Sequence, residues 1–211
     1  LVPLEYMPYA VACGNTYIVK PSVDTPISQV KIFELIEEAG FPPGVVNLVH
    51  GFQEVVDILA ESPEVKGLSF VGSTPVGKLL YQKWSEKGKR VQCSTGAKNH
   101  MVVMPDANLD RTVQAMLTSF FGCAGQRCLA GAVAIPVGEA YGPLKEKFIE
   151  AASRMKVGYG LDPGVQMGPL VSQRHRERVL GYIEQGIEEG ASLLLDGRKI
   201  EVKDYPHGAF L

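Results

Sequence analysis

The chain has 211 residues, of which 45% are hydrophobic and 21% charged, and its formal net charge is −2 at pH 7. These values are typical of a globular protein with one or two domains, and they exclude collagen, a coiled coil and a disordered chain. Lys and Arg (21) nearly balance Asp and Glu (23), so nothing resembles the basic surface that binds nucleic acid or an anionic membrane. We expect neither of these partners.

The four cysteines lack the paired CxxC spacing of a zinc site or a disulfide framework, so we expect no metal. A reducing compartment is predicted, either the cytoplasm or, in a eukaryote, the mitochondrial matrix. The longest apolar stretch, residues 131–137, is shorter than the ~20 residues that span a bilayer. Because the chain begins at Leu1 and stops within an apolar stretch, we expect an internal piece of a longer protein.

Strand-like and helix-like patterns alternate along the chain, which predicts an α/β fold with a largely parallel sheet. The first helix is expected to start with Thr25 as N-cap and Pro26 at the first helical position. Its predicted inner face is Ile32, Leu35, Ile36 and Ala39. Further elements expected before residue 90 are strands at 16–19, 45–49 and 68–71 and helices around 55–59 and 73–84. Three such strand–helix units are typical of half a dinucleotide-binding sheet.

The composition changes near residue 96, where we place a boundary between two domains, 1–96 and 97–211. After it, Val113, Met116, Leu117 and Phe120 recur at the spacing of one helix face. The other elements expected in this part are strands at 101–104 and 130–137 and helices at about 143–155 and 174–189.

Two features of the first domain suggest a phosphate-containing ligand. Gly72, Ser73 and Thr74 lie between a strand and a helix, where unpaired backbone N–H groups and the helix dipole favour an anion. An ordinary N-cap followed by Pro75 would explain the same residues without a ligand. Lys20 ends a strand, and ligands collect at strand ends in open α/β sheets. A solvated lysine is the simpler alternative there.

Cys128 is the candidate nucleophile. It follows an amphipathic helix and a glycine-rich bend, where small residues let a substrate approach the backbone. The neighbouring Arg127 is a permanent cation and would favour the reactive thiolate. A buried structural cysteine is the alternative. A protease-like Cys–His pair would need one of four distant histidines.

Five short motifs occur in the order and spacing of the aldehyde dehydrogenase superfamily, which the chain resembles over essentially its whole length. These motifs are residues 13–22, 70–73, 96–99, 125–128 and 167–170. Within the superfamily, the chain is most similar to the CoA-acylating methylmalonate-semialdehyde dehydrogenases. The segments that carry this similarity are 14–16, 46–51, 96–100, 103–107, 125–128, 190–192 and 196–198.

The resemblance implies the aldehyde dehydrogenase fold, with part of a Rossmann-like NAD-binding domain in 1–96 and part of an α/β catalytic domain in 97–211. Cys128 matches the nucleophile that attacks the aldehyde, and Arg127 matches an arginine that grips the substrate carboxylate. Lys20 matches the lysine at the adenosine ribose of NAD. Ser73, flanked by Gly72 and Thr74, matches the serine at the cofactor pyrophosphate. Family members act on small-molecule aldehydes as homodimers or homotetramers.

One departure from the family pattern bears on the acceptor of the acyl group. Hydrolytic members carry a Glu that activates water, and this chain has Ser94 there. Because a thiol needs less activation than water, CoA is the expected acceptor, and malonate or methylmalonate semialdehyde is the expected substrate. The products would be acetyl-CoA or propanoyl-CoA and CO₂. The alternatives are a hydrolytic, NAD(P)-dependent enzyme with another base and a non-catalytic relative.

Other departures affect smaller details. Val23 stands where the family often has the Glu that contacts the ribose, which leaves the choice of NAD over NADP less defined. Cys123 stands where hydrolytic relatives usually have Asn, and we assign it no role. The resemblance places an oxyanion-binding Asn just before Leu1 and a ribose-binding Glu after Leu211. These 211 residues are therefore expected to be inactive by themselves.

Overall fold

The computed structural model of the protein describes residues 2–211. Two compact units divide the chain between Gly96 and Ala97, next to the change in composition. Both units combine helices with parallel strand pairs, as the alternating sequence pattern predicts. None of the helices in residues 2–211 is both long and apolar enough to cross a membrane.

The first unit contains four helices and four short strands. In chain order they are α1 (Val2–Ala12), β1 (Tyr17–Val19), α2 (Ile27–Glu38), β2 (Val46–Leu48), α3 (Gln53–Glu61), β3 (Gly67–Val71), α4 (Thr74–Ser85) and β4 (Arg90–Ser94). β1 pairs with β2 and β3 pairs with β4, both in parallel. Trp84, Leu80 and Ala60 form the buried centre of a cluster on which α3, α4 and the β3–β4 pair pack.

The predicted start and inner face of α2 are wrong in detail. The helix begins at Ile27 with Pro26 as its cap residue, so Thr25 is not the N-cap. Proline has no N–H, so it leaves no backbone donor unpaired at this position. Its carbonyl accepts the first hydrogen bonds of the helix. Leu35 is 63% exposed, whereas Gln29 is buried. The inner face is therefore rotated towards Gln29, Ile32 and Ile36.

The second unit contains two strands, three helices and two short 3₁₀ turns. Its elements are β5 (Asn99–Val103), α5 (Leu109–Phe121), a turn at Gly122–Gly125, β6 (Gly131–Pro136), a turn at Gly138–Ala140, α6 (Tyr141–Ser153) and α7 (Gln173–Glu188). β5 and β6 pair in parallel, with Asn99 opposite Gly131.

The predicted inner face of α5 is confirmed. Val113, Met116 and Leu117 are buried together with Val103 of β5 and Leu144 of α6. The ring of Phe148 lies edge-to-face with that of Phe120, at 5.7 Å between centroids, and stacks on that of Phe121. These contacts fix the C-terminal end of α5, which leads directly into the candidate nucleophile loop.

Candidate functional site

The loop after α5 reverses the chain through three consecutive residues in the left-handed region. Cys123, Ala124 and Gly125 have φ angles of 54°, 52° and 71°. Only Gly adopts this conformation without a steric penalty, so the turn stores strain at two residues. Strain of this kind persists when surrounding contacts hold it in place. The candidate nucleophile follows three residues later.

Cys128 lies exposed on this loop, and its backbone is held from β5. The side-chain Nδ2 of Asn99 donates to the carbonyl oxygen of Cys128 at 2.7 Å and to that of Ala130 at 2.8 Å. The backbone N–H of Ala130 donates to the carbonyl of Arg127 at 3.1 Å. The thiol is thus accessible while the peptide groups around it are fixed.

The Arg127 guanidinium turns back onto the C-terminal end of α5. Its Nη2 donates to the carbonyls of Thr118 and Ser119, a favourable place for a cation because the C-terminal end of a helix dipole is negative. A Cβ atom added at Gly122 would come within 2.3 Å of Nη2, so a larger residue there would displace the guanidinium from this position. Nε and Nη1 take no part in these two contacts, which leaves three N–H donors for another anion.

Gln126 ties the same loop to a more distant segment. Its Nε2 donates to the carbonyl of Cys123 at 3.1 Å, and its Oε1 accepts from the backbone N–H of Val171 at 3.0 Å. Val171 follows directly after residues 167–170, one of the motifs noted in the sequence. The side chain therefore connects the motif at 125–128 to Val171, which follows the motif at 167–170 and lies 45 positions further along the chain.

In the first unit, a cleft of about 1520 Å³ contains three of the predicted cofactor-binding residues. The strands β1 and β3 both contribute to its wall, and so do Lys20, Gly72 and Ser73. A cleft of this size exceeds the ~300–1,000 Å³ typical of small-molecule sites. It has room for a dinucleotide.

Two glycines let the turn that precedes α4 and the first turn of this helix pack closely against neighbouring side chains. Ser73 is the N-cap, yet its hydroxyl makes no capping hydrogen bond and is exposed. A Cβ atom at Gly72 would come within 2.5 Å of the Phe70 ring, and one at Gly77 within 2.4 Å of Thr95. The first N–H groups of a helix lack internal partners and attract phosphate. This donor set fits a pyrophosphate.

Thr74 serves a different purpose from Ser73 in this structure. Its Oγ1 accepts from the backbone N–H of Gly96 at 3.2 Å, and it is not among the residues that line the cleft. The hydroxyl therefore joins the start of α4 to the end of the unit. The predicted contact of Thr74 with a cofactor stays a prediction.

Lys20 is half-buried at the end of β1. Its Nζ donates to the carbonyl of Pro21 at 2.9 Å and to that of Gly51 at 3.3 Å. An ammonium group carries three donors, so one remains for a ligand in the cleft. The two carbonyls hold the charged end of the side chain in place at the wall of the cleft.

Ser94, the last residue of β4, lies beside a phenol. The hydroxyls of Ser94 and Tyr6 are 3.2 Å apart, so one of them donates to the other. The neighbouring Cys93 faces inward, and burial raises the pKa of its thiol. Neither Ser94 nor Cys93 supplies an ionised group at neutral pH.

The structure thus brings the predicted site residues together in two groups. Lys20, Gly72 and Ser73 share the cleft of the first unit, and Arg127 and Cys128 share the loop of the second. The sequence analysis did not predict that the side chains of Asn99 and Gln126 hold the loop that carries Cys128. Both residues belong to motifs noted in the sequence, which is the feature that could have pointed to them.

The sequence and the fold identify the class of protein to which this chain belongs. The sequence profile described as the aldehyde dehydrogenase family matches residues 1–211, and the chain belongs to that family. Solved structures with the same fold match with TM-scores up to 0.94. The predicted family resemblance and fold are confirmed.

Individual relatives resemble the chain closely. Malonate-semialdehyde dehydrogenase 1 of Geobacillus kaustophilus is 50% identical over 215 residues, which cover 100% of this chain and 43% of that protein. The mitochondrial, acylating methylmalonate-semialdehyde/malonate-semialdehyde dehydrogenase of rat is 44% identical and is covered to 39%.

Among solved structures, the methylmalonate-semialdehyde dehydrogenase of Oceanimonas doudoroffii has a TM-score of 0.94 and 44% identity, with 99% of this chain and 43% of that chain covered. A Sinorhizobium meliloti protein crystallised with NAD has a TM-score of 0.94 and 40% identity, with the same coverage. The chain spans less than half the length of these relatives.

Proposed function

We propose that the protein containing this chain oxidises a small semialdehyde with NAD and transfers the acyl group to CoA. Malonate or methylmalonate semialdehyde is the proposed substrate, and acetyl-CoA or propanoyl-CoA with CO₂ are the proposed products. The observation that carries the proposal is the exposed thiol of Cys128 on a loop whose carbonyls are fixed by Asn99. The relatives named for these substrates support it.

The chemistry assigned to Cys128 is nucleophilic. Its thiolate adds to the aldehyde carbon, which forms a C–S bond and leaves a negative charge on the former carbonyl oxygen. The backbone N–H of Cys128 is the donor in this chain assigned to that oxyanion. Loss of a hydride from the same carbon gives a thioester on Cys128. Exposure of the thiol and rigidity of the loop both suit these steps.

NAD, when bound, accepts that hydride. The cleft of the first unit fits it, because Ser73 offers an uncommitted hydroxyl at a helix N-terminus and Lys20 a half-buried ammonium. In this proposal Ser73, with Gly72, holds the pyrophosphate, and Lys20 donates to the adenosine ribose. The NAD complex of the Sinorhizobium meliloti relative supports the choice of cofactor.

Arg127 is proposed to hold the carboxylate of the substrate. Two of its five N–H groups are committed to α5, and the remaining three suit a planar, charged acceptor. With a malonyl or methylmalonyl thioester on Cys128, breaking the bond between the α-carbon and the carboxylate releases CO₂ and leaves an enolate that takes up a proton. The thioester of the shortened acyl group then awaits an acceptor.

CoA is the proposed acceptor because Ser94 cannot act as a base. A hydroxyl beside the Tyr6 phenol does not remove a proton from water at neutral pH, and general-base catalysis contributes about 10²–10⁴-fold. A thiol acceptor ionises in part by itself near neutrality. Its sulfur attacks the thioester carbonyl, a new thioester forms, and Cys128 leaves as the thiolate.

NADH formation by the full-length protein, with and without CoA, tests this function. Without CoA, malonate or methylmalonate semialdehyde should give a single burst of about one NADH per active site. Added CoA should produce steady turnover. Steady turnover without CoA would replace this proposal by hydrolysis.

Two serine variants separate the nucleophile from other exposed thiols. Cys128→Ser should abolish the burst, whereas Cys13→Ser, at an exposed cysteine of the first unit, should keep it. A wild-type protein that forms no NADH and whose Cys128 resists iodoacetamide would be a non-catalytic relative.

A further inference from the structure

We propose that Asn99 is the positioning residue that sets the direction of the Cys128 thiol. This inference rests on the proposed role of Cys128 as nucleophile. Asn99 does not reach the reacting atoms in this proposal. It acts through the backbone on both sides of the turn that carries the thiol.

The location of Asn99 follows from the parallel pairing of β5 with β6. Asn99 is the first residue of β5 and lies opposite Gly131, the first residue of β6. The chain reaches Gly131 directly from the 127–130 turn, so the half-buried side chain of Asn99 extends towards that turn. Its two N–H groups meet two carbonyls, those of Cys128 at 2.7 Å and Ala130 at 2.8 Å.

These contacts fix the peptide groups on both sides of the Cys128 α-carbon. The peptide after it is held because its carbonyl accepts from Asn99. The peptide before it is held because the carbonyl of Arg127 accepts from the N–H of Ala130. A planar trans peptide places the N–H of Cys128 opposite that carbonyl. The direction of the proposed oxyanion donor is therefore set by the same turn.

The second hydrogen bond of Asn99, to the carbonyl of Ala130, holds the other end of the same turn. By holding the carbonyl of Ala130, the amide fixes the end of the turn whose N–H reaches Arg127. The N–H of Gly131 is held in turn by Ser119 Oγ at 2.8 Å. One side chain thus supports both peptides that determine where the thiol and the N–H of Cys128 point.

Only a side chain with two N–H donors can make both contacts. Aspartate has nearly the same shape as asparagine, but it presents oxygens to the two carbonyls and repels them. Asn99→Asp should therefore release the turn without creating a cavity. Asn99→Ser, which removes most of the side chain, provides a second variant should the charge prevent folding.

The experiment measures the NADH burst of the full-length protein with malonate semialdehyde and no CoA. Displacement of a reacting group by about 1 Å costs up to about 10²-fold in rate, so we expect the maximal burst rate to fall about 10- to 100-fold in both variants. The aldehyde concentration at half-maximal rate should change little. Alkylation of Cys128 by iodoacetamide should change little in Asn99→Ser, because this variant adds no charge beside the thiol and the reaction needs no oxyanion donor or hydride geometry.

Asn47→Asp is the matched control. The Nδ2 of Asn47 also donates to a backbone carbonyl, that of Gly44 at 2.9 Å, but it lies in the first unit. This variant should keep the burst rate. If both Asn99 variants unfold at lower denaturant but keep the wild-type burst rate, Asn99 is a structural residue and the inference is overturned.

The outcome for Cys128→Ser separates this inference from the function on which it rests. If the burst persists in Cys128→Ser, Cys128 is not the nucleophile and the proposed function is rejected. A burst that is lost in Cys128→Ser and unchanged in Asn99→Asp and Asn99→Ser leaves the proposed function intact and rejects the positioning role alone.

Discussion

At Cys123 the backbone adopts a conformation that residues with a Cβ atom usually avoid. Its φ angle of 54° places the Cβ atom near its own carbonyl oxygen, a penalty of roughly 1–2 kcal/mol. The Gln126 side chain and backbone both donate to the Cys123 carbonyl and hold the turn in this shape. Asn, common at this position in hydrolytic relatives, tolerates such angles better than Cys.

We predict that Cys123→Gly increases the stability of the full-length protein by about 1 kcal/mol. Glycine removes the steric penalty but loses about 0.5–1 kcal/mol of chain entropy on folding, so part of the gain is offset. The measurement is the urea midpoint of unfolding. Cys123→Ala is the control, since it removes the thiol and retains the Cβ atom. Equal midpoints for the glycine and alanine variants would show that φ is not strained.

The residues of the candidate site differ in how far the sequence could predict them. Short local motifs are enough to predict Cys128 as a candidate nucleophile and Ser73 as a residue at a helix N-terminus, because each prediction depends on only a few neighbouring positions. The contact between Asn99 and Cys128 spans 29 positions and depends on the pairing of β5 with β6. A single sequence does not reveal which strands pair or which of their first residues lie opposite each other. The contact between Gln126 and Val171 could not be predicted for the same reason, because it joins segments that are distant in the sequence.

At the scale of elements, prediction followed the strength of the hydrophobic pattern. The helical spacing of its apolar residues predicts the inner face of α5, and three of these residues are buried in one core. β4 was missed, since Arg90, Gln92 and Ser94 alternate with only two inward-facing residues. α1 was missed because Pro3 and Pro8 lie within it. Tertiary contacts overrode weak local signals in both elements.

α7 is held to the segment that follows it mainly by polar contacts, since none of its residues is buried. Arg176 donates through Nε to the carbonyl of Phe210 at 2.6 Å and through Nη2 to that of Arg198 at 3.0 Å. The Arg198 guanidinium in turn pairs with Glu184 of α7 and with Asp196. Hydrogen bonds from the Arg198 side chain and backbone lower the pKa of Asp196 to about 2.

We predict that the ion pair between Asp196 and Arg198 stabilises the second unit above pH ~4 and that this stabilisation is lost at lower pH. The carboxyl of Asp196 has a pKa near ~3.9 when unfolded and about 2 when folded, so protonation favours the unfolded chain. Asp196→Asn should therefore lower the urea midpoint at pH 6, and the difference from wild type should shrink as the pH falls from ~4 towards 2. High salt should reduce it as well. A pH-independent difference would contradict the role of the charge.

At the scale of the whole molecule, the first unit leaves its cleft open along two strands. Within residues 2–211, β1 pairs only with β2 and β3 only with β4, and the other sides of β1 and β3 line the cleft. The buried Oε1 of Gln29 and Nε1 of Trp84 lack hydrogen-bond partners, and both residues line the same cleft. A buried polar atom without a hydrogen-bond partner costs stability, and an unpaired strand edge exposes backbone N–H and C=O groups that can pair with further chain. The relatives are more than twice as long as this chain.

We therefore predict that residues 1–211, expressed alone, bind the hydrophobic dye ANS and form no NADH from semialdehyde, although they contain Cys128. Apolar side chains around the cleft, including Ile18 at 39% and Leu79 at 56% exposed, supply the surface for the dye. The full-length protein is the control, and it should bind less dye per mole and produce the NADH burst. Aldehyde-dependent NADH from the isolated 211 residues would mean that the two units carry the whole catalytic apparatus. Weak dye binding together with a cooperative unfolding transition would mean that residues 1–211 fold stably by themselves, although the edges of β1 and β3 are unpaired.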